Sequence, residues 1–159
     1  MMRLTVGTPE EMDALGRRIA AQLRPGDVVA LNGELGAGKT TLTRGIGAGL
    51  GVRGPVTSPT FVLARTHPGR SGGPPLVHVD AYRLSAPAEL DDLDIDFESS
   101  IVVVEWAEGM LDGLIESWLQ VDIERPVGGA AEDEAQPRVV EVTGVGPRWR
   151  AGAIGDDRL

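Results

Sequence analysis

One stretch of the sequence combines glycines, a lysine and a threonine at a spacing that can bind phosphate. Residues 33–40 read GELGAGKT and match the pattern G-x-x-x-x-G-K-[ST] at every fixed position. Glycines let backbone N–H groups turn towards phosphate oxygens. The Lys39 ammonium group can reach the β- and γ-phosphates, and the Thr40 hydroxyl can bind Mg²⁺. The motif therefore predicts a nucleoside triphosphate site.

The flanking residues predict the elements that would position this motif. An apolar strand over Asp27–Asn32 precedes it, and a helix from Lys39 follows, with apolar residues on one face. Such a helix points its positive end at the same phosphate groups. Three glycines lower the intrinsic stability of that helix and are tolerable if the helix packs tightly on a sheet: Gly45, Gly47 and Gly49.

Two acidic residues at the ends of apolar strands are candidates for the metal side of the site. Glu105 closes the run Ile101–Val104, and Asp80 closes Leu76–Val79. Either carboxylate can hold Mg²⁺, directly or through water, or position an attacking water. Each could instead cap a neighbouring helix. His78, on the Asp80 strand, is interpreted as a strand histidine with a satisfied hydrogen bond.

Two further features have both a functional and an ordinary interpretation. Trp106 could stack on adenine, or it could pack behind the strand that ends at Glu105. Residues 58–61 (SPTF) lie where P-loop proteins carry a γ-phosphate-sensing switch, but they could also form an ordinary turn. The residues alone favour packing for Trp106 and favour neither interpretation for residues 58–61.

The remaining pattern alternates strands with helices. Thr8 predicts an N-cap and Pro9 the first position of a helix that Pro25-Gly26 ends. Further strands are predicted at Arg3–Val6, Thr57–Thr66, Leu76–Asp80, Ser100–Trp106, Leu119–Ile123 and Val139–Val142. Short helices are predicted at Pro87–Leu93 and Leu111–Ile115. A flexible loop is predicted at His67–Pro75 and a polar loop at Gly128–Gln136. We predict an α/β P-loop fold with three layers, a mostly parallel central sheet and antiparallel strands towards the C-terminal edge. Residues 1–146 are expected to form one domain, and 147–159 a loose tail.

Composition excludes several classes of protein. The chain has 159 residues, no cysteine, two histidines and a net charge of -9; fourteen of its fifteen cations are arginine, and the one lysine is Lys39. Disulfides, thiol catalysis and zinc ribbons are excluded, and a reducing, cytoplasmic location is expected. No signal peptide is read at the N-terminus, and no apolar run is long enough to span a membrane. The charge disfavours a free-standing nucleic-acid binder but not work in a complex whose other members hold the nucleic acid.

Four motifs occur in order along the chain: residues 33–41 (GELGAGKTT), 58–61 (SPTF), 78–84 (HVDAYRL) and 104–106 (VEW). Taken together, they resemble the TsaE family, formerly YjeE, the small bacterial P-loop ATPases of tRNA threonylcarbamoyladenosine modification. The likeness runs from about Thr8 to Ile123. It implies a single domain that binds ATP or ADP with Mg²⁺ and whose weak ATPase activity depends on partners.

The resemblance also implies the cellular process. The partners would be TsaB and TsaD, and the product would be the modified adenosine at position 37 in tRNAs reading codons that begin with A. The chain would meet tRNA only indirectly, through the complex. No membrane would be involved, and the isolated chain would be a monomer.

Carried over residue by residue, the resemblance assigns roles to named positions. The catalytic set is Lys39, Glu105 and Asp80, and the Mg²⁺ set is Thr40, Glu105 and Asp80. Thr60 falls in a switch-like loop. The predicted nucleotide-binding residues are Gly33, Glu34, Leu35, Gly36, Ala37, Gly38, Lys39, Thr40, Thr41, Trp106, Thr8, Pro9 and Thr60. This chain has Met12 where the family often has Thr.

Three other functions are considered. A small-metabolite kinase needs a basic lid, and the candidate lid at His67–Pro75 has one arginine. A GTPase needs an N-K-x-D motif, which cannot exist when the one lysine is in the P-loop. A nucleotide-dependent scaffold without hydrolysis stays open. The acidic run Glu89–Glu98 is either a solvated face or a docking surface for a basic partner.

Overall fold

Apolar strands alternate with helices through most of the chain. A computed structural model describes residues 2–34, 36–53, 56, 64–125 and 137–149. Within these ranges the helices and strands are, in chain order, β1 Met2–Val6, α1 Pro9–Ala20, β2 Val28–Gly33, α2 Lys39–Leu50, β3 Ala64–His67, β4 Leu76–Asp80, α3 Pro87–Asp91, β5 Ile101–Glu105, β6 Trp118–Glu124 and β7 Arg138–Val145. None of the described helices is long and apolar enough to cross a membrane.

The strands form one seven-stranded sheet in the order β1-β7-β6-β2-β5-β4-β3. The four central strands, β6, β2, β5 and β4, run parallel. β7 and β1 are antiparallel at one edge, as predicted for the C-terminal strands. Of the strand predicted at Thr57–Thr66, residues 57–63 lie outside the described residues and 64–66 belong to β3, whose antiparallel pairing at the other edge was not predicted. β2 therefore lies between two parallel neighbours, and the loop after it opens at the carboxyl edge of the sheet, where α/β proteins bind ligands.

Alternation of side chains along the central strands builds a core on each face of the sheet. Val29 and Leu31 of β2 pack with α1 and α2, while Val28 and Ala30 belong to the opposite core. The opposite face is covered by the five-residue α3 and by turns. The three predicted layers are present, but the second outer layer is mostly turns, and the helix predicted at Leu111–Ile115 is a turn segment.

The helix starts are local features and agree with the sequence. Thr8 caps α1 through its hydroxyl, which accepts a hydrogen bond from the Glu11 amide at 3.1 Å, and Pro9 is the first helical residue. α2 begins at Lys39 as predicted. The helix ends are less well predicted, because α1 stops at Ala20, before Pro25-Gly26, and α3 stops at Asp91.

Two segments expected to be loose are ordered by contacts with distant residues. Residues 147–149 form a 3-10 turn in which Trp149 is buried and Arg148 pairs with Asp27 at 3.0 Å. The prediction of a loose tail from residue 147 is therefore wrong for these three residues, and 150–159 lie outside the described residues. The flexible-loop prediction for His67–Pro75 is also wrong in its first half, because His67 belongs to β3 and Arg70 donates its backbone N–H to the Gly51 carbonyl at 3.1 Å.

Candidate functional site

The loop between β2 and α2 has the backbone shape of a phosphate-binding loop. Gly36 and Gly38 have φ angles of 81° and 114°, which favour glycine. Gly38 is the N-cap of α2, and no side chain caps this helix and no acidic residue lies in its first turn. α1, by contrast, has the Thr8 cap and acidic residues in its first turn. Among the described residues, no cap or first-turn acid therefore competes with an external anion at the positive end of α2.

Lys39 is held inside this loop. Its side chain is 6% exposed, and its Nζ donates to the carbonyls of Gly33 and Glu34 and lies 3.9 Å from the centroid of the Trp106 ring. Burial lowers the pKa of the Lys39 ammonium group, and the carboxylates of Glu105 and Asp80 oppose that shift. A compact cation is thus placed where the loop would receive phosphate, close to both candidate carboxylates.

The two strand-end acids are brought together as predicted. The parallel pairing of β4 and β5 sets Asp80 opposite Glu105. Glu105 is buried, whereas Asp80 is half-buried and its Oδ1 accepts the Tyr82 amide at 3.0 Å. With Lys39 acting on both carboxylates, one edge of the sheet holds a cation and two anionic oxygen donors, next to the helix that carries Thr40.

The donor set fits Mg²⁺ bound together with a nucleotide. Among the described residues no group of three or more His, Asp or Glu side chains could hold a metal alone. Mg²⁺ prefers oxygen ligands and is usually bound by one or two carboxylates, substrate phosphates and waters, so a full protein cage is not needed. The carboxylates of Asp80 and Glu105 and the hydroxyl of Thr40 are the side chains that would hold it.

His78 belongs to this site, although no functional role was predicted for it. Its Nε2 lies 2.5 Å from Glu105 Oε2, and the imidazole is fully buried. The expected hydrogen bond is confirmed, but its partner was not foreseen. The alternation of β4 places His78 on the same face as Asp80, and that spacing is the signal that could have linked them.

Trp106 covers the loop instead of packing in the core. Its φ angle is 59°, a conformation uncommon outside glycine, and its N–H donates to the Leu31 carbonyl at 3.0 Å. Its half-buried ring lies over Lys39 and meets the exposed Tyr82 ring edge-on, with centroids 5.1 Å apart. A strained backbone held in place at such a position is typical of functional sites.

The remaining predicted residues line clefts beside the loop. A cleft of about 290 Å³ brings Thr8 and Pro9 of α1 next to Thr41, Met12 and residues 36–38. On the other side, Gly33 and Glu34 share a cleft with Trp106. The structure therefore gathers the described site residues around one loop. Leu35 and Thr60 lie outside the described residues.

Comparison with known proteins identifies the family. The family model described as threonylcarbamoyl adenosine biosynthesis protein TsaE matches residues 6–131. The chain belongs to the TsaE family. This family takes part in tRNA threonylcarbamoyladenosine biosynthesis, and the resemblance read from the four motifs is confirmed.

Individual members of the TsaE family match over most of their length. The Streptomyces coelicolor protein is 60% identical over 146 residues, which are 90% of this chain and 97% of that protein. The Bacillus subtilis TsaE is 40% identical over 142 residues, covering 89% and 84%. The crystal structure of Bacillus subtilis YdiB superposes with a TM-score of 0.70 at 35% identity, covering 93% of this chain and 88% of that one. These matches confirm the predicted P-loop fold.

Proposed function

We propose that this TsaE family member is a Mg²⁺-dependent ATPase that binds ATP and ADP and supports threonylcarbamoyladenosine formation at position 37 of tRNAs reading codons that begin with A. The observation that carries the proposal is the convergence of Lys39, Asp80 and Glu105 at the uncapped start of α2. A cation, two carboxylates and the N–H groups at a helix start are the parts that phosphoryl chemistry needs.

Each residue has a definite task in this proposal. The N–H groups of the loop bind the phosphates, and Lys39 Nζ exchanges its contacts with the Gly33 and Glu34 carbonyls for the β- and γ-phosphate oxygens. Thr40, Asp80 and Glu105 hold Mg²⁺, which when bound neutralises charge on the transferred phosphoryl group. Whichever carboxylate does not ligate the metal directly orients the attacking water. Trp106, above Lys39, contacts the nucleotide.

The proposed setting follows from the family. TsaB and TsaD are the proposed partners, and the ATPase activity of the isolated monomer is weak without them. A chain of net charge -9 repels tRNA, so it would act on tRNA only through the complex. The proposed location is the cytoplasm, in keeping with a chain that lacks cysteine.

The kinase alternative loses its candidate lid. The segment His67–Pro75 is attached to the far end of α2, where Pro68 accepts the Arg53 amide at 2.8 Å and Arg70 donates to Gly51. α2 has twelve residues, so this end lies about 18 Å from Lys39. The single arginine of that segment therefore has no route to a phosphate in the loop.

Two substitutions test the proposal. Lys39→Ala should abolish ATP binding, because it removes the loop cation. Glu105→Gln should keep binding but lower turnover by about 100-fold or more, because the neutral amide neither ligates Mg²⁺ well nor accepts a proton. Binding and turnover are measured on the full chain, with and without TsaB and TsaD, with Arg18→Ala on the exposed face of α1 as control. Normal tRNA modification in cells carrying only Lys39→Ala would overturn the proposal.

A further inference from the structure

A buried histidine beside the predicted metal ligand has no role in the function proposed above. We infer that His78 is a positioning residue, which orients the Glu105 carboxylate for Mg²⁺ through a hydrogen bond from its Nε2–H. This inference rests on the proposed Mg²⁺-nucleotide site and adds a residue to it. Nε2 and Glu105 Oε2 are 2.5 Å apart, and the two side chains are 0% and 5% exposed.

The chemistry of the two groups fixes the direction of the bond. An ionised carboxylate only accepts hydrogen bonds, so the imidazole carries a proton on Nε2. Nδ1 has no hydrogen-bond partner among the described residues. The neutral tautomer protonated on Nε2 satisfies both observations. Its Nε2–H donates to Glu105, and its Nδ1 carries a lone pair and no proton, so no N–H donor is left unpaired.

The topology shows why this bond sets the orientation of Glu105. β4 and β5 pair with Asp80 opposite Glu105 and His78 opposite Val103. His78 therefore lies on the same face of the sheet as Asp80, two residues further from the carboxyl edge. Its bond holds Oε2 of Glu105 towards the core. In this inference the other carboxylate oxygen, Oε1, is the one that binds the metal at the carboxyl edge. Since both side chains are buried, no water is at hand to replace a lost N–H donor.

A matched pair of variants separates orientation from simple packing. In His78→Gln the amide nitrogen can occupy the position of Nε2 and donate to Glu105, whereas in His78→Asn the shorter amide corresponds to Nδ1 and cannot reach. Both variants bury one amide in place of the ring. The two variants differ in the one hydrogen bond and in one methylene group, so folding stability is measured for both beside Mg²⁺ binding.

The experiment measures ADP binding by the full chain at rising Mg²⁺ concentration, and again in EDTA. Partners that orient a metal ligand typically change metal affinity by about 10- to 100-fold, so the half-saturating Mg²⁺ concentration should rise by that factor in His78→Asn and stay near wild type in His78→Gln. Metal-free ADP affinity should stay unchanged in both, because the loop and Lys39 supply it. Mn²⁺ bound with ADP, followed by electron paramagnetic resonance, gives the same comparison spectroscopically.

The outcomes distinguish this inference from the function it rests on. Equal Mg²⁺ dependence in His78→Asn, His78→Gln and wild type would overturn the positioning role and leave the proposed ATPase standing. ADP binding by wild type that does not depend on Mg²⁺ would overturn both the positioning role of His78 and the Mg²⁺-nucleotide site on which it rests. If the variants do not fold, ¹⁵N NMR of wild-type histidine decides, with His67→Gln used for assignment, because a proton on Nδ1 of His78 would contradict the bond.

Discussion

At the residue scale, Lys39 is distinguished by the shape of its surroundings as well as by its charge. Its Nζ lies between the carbonyls of Gly33 and Glu34 and the face of Trp106, a space that suits a compact ammonium group. A guanidinium group is planar and larger and presents its donors as a fixed fork. We therefore expect Lys39→Arg to lose nucleotide affinity by about 10-fold or more although the charge is kept.

The measurement is a fluorescent ADP titration of folded protein, with folding checked by circular dichroism. Arg18→Lys, on the exposed face of α1, makes the opposite exchange of cations away from the loop and should bind like wild type. Wild-type affinity in Lys39→Arg would show that charge alone is needed.

His67 provides a prediction about pH. It is buried, and its Nε2 has no hydrogen-bond partner among the described residues. Burial, helped by His78 and Arg65, lowers the pKa of His67 below its ordinary value of 6.5. As the pH falls, the unfolded chain therefore takes up a proton at His67 before the folded chain does. The contribution of neutral His67 to the free energy of unfolding is thus fully present above pH 6.5 and is lost below it.

The expected result concerns the free energy of unfolding in urea. Between about pH 7 and pH 5, wild type should lose more stability than His67→Leu, which has no proton to gain at this position. Parallel curves for the two proteins would contradict a lowered pKa of His67.

The role of a single residue could be predicted where the interactions that determine it come from residues nearby in the sequence. Thr8 as an N-cap and Lys39 in its loop depend on neighbours within a few positions, and both agree with the structure. The partnership of His78 with Glu105 depends on the register between two strands, and the left-handed backbone of Trp106 on the turn that follows β5. Neither has a local signal.

At the scale of elements, α1 and α2 approach each other backbone to backbone. A Cβ added at Gly45 would overlap the Asp13 carbonyl oxygen, and one added at Gly16 would overlap the Leu42 carbonyl oxygen. The expectation that the glycines of α2 pack on the sheet is therefore wrong for Gly45 and Gly49, which face α1, while Gly47 meets Val56 near the sheet. Glycine here sets the spacing of two helices.

Gly45→Ala should consequently destabilise the protein although alanine is the better helix former. Helix propensity alone would add about 1 kcal/mol of stability, whereas overpacking costs about 1–3 kcal/mol. We expect a net loss in urea unfolding. Ala48→Gly, at an exposed position of the same helix, isolates the propensity term and should cost about 1 kcal/mol. A stability gain in Gly45→Ala would show that the helices can move apart freely.

The elements that were predicted incorrectly share a physical cause. The turn at residues 147–149 has the glycine and proline neighbours of a loop, but Arg148 reaches Asp27 and the Gln22 carbonyl, more than a hundred positions earlier. The strand β3 was predicted, but its antiparallel direction is likewise fixed by pairing with β4, which periodicity cannot reveal. Amphipathic helices and buried strands were predicted well because the periodic pattern of apolar residues within each segment indicates which residues are buried.

At the scale of the whole molecule, the acidic run 89–98 is part of the folded surface. Leu90 is fully buried, and Leu93, Ile95 and Phe97 pack on the same core as the central strands. The acids between these apolar residues are thereby fixed at the surface, and Asp91 and Asp92 are exposed. A fixed group of like charges attracts a basic partner more effectively than the same charges on a mobile chain, because less entropy is lost on binding.

This surface leads to a prediction that rests on the proposed TsaB–TsaD partnership. Asp91→Lys together with Asp92→Lys should weaken binding to the partner proteins and reduce its dependence on salt, since rim charges act mainly on association and its salt dependence. Asp94 is left unchanged because its φ angle of 57° suits Asp better than Lys. Asp112→Lys with Glu116→Lys changes the net charge equally at two other exposed acids, so it controls for total charge. The measurement is the rate of association with the partner proteins at low and high salt. An equal loss of association rate in both double variants would assign the effect to net charge. No loss in either double variant would show that the acidic run is not part of the interface.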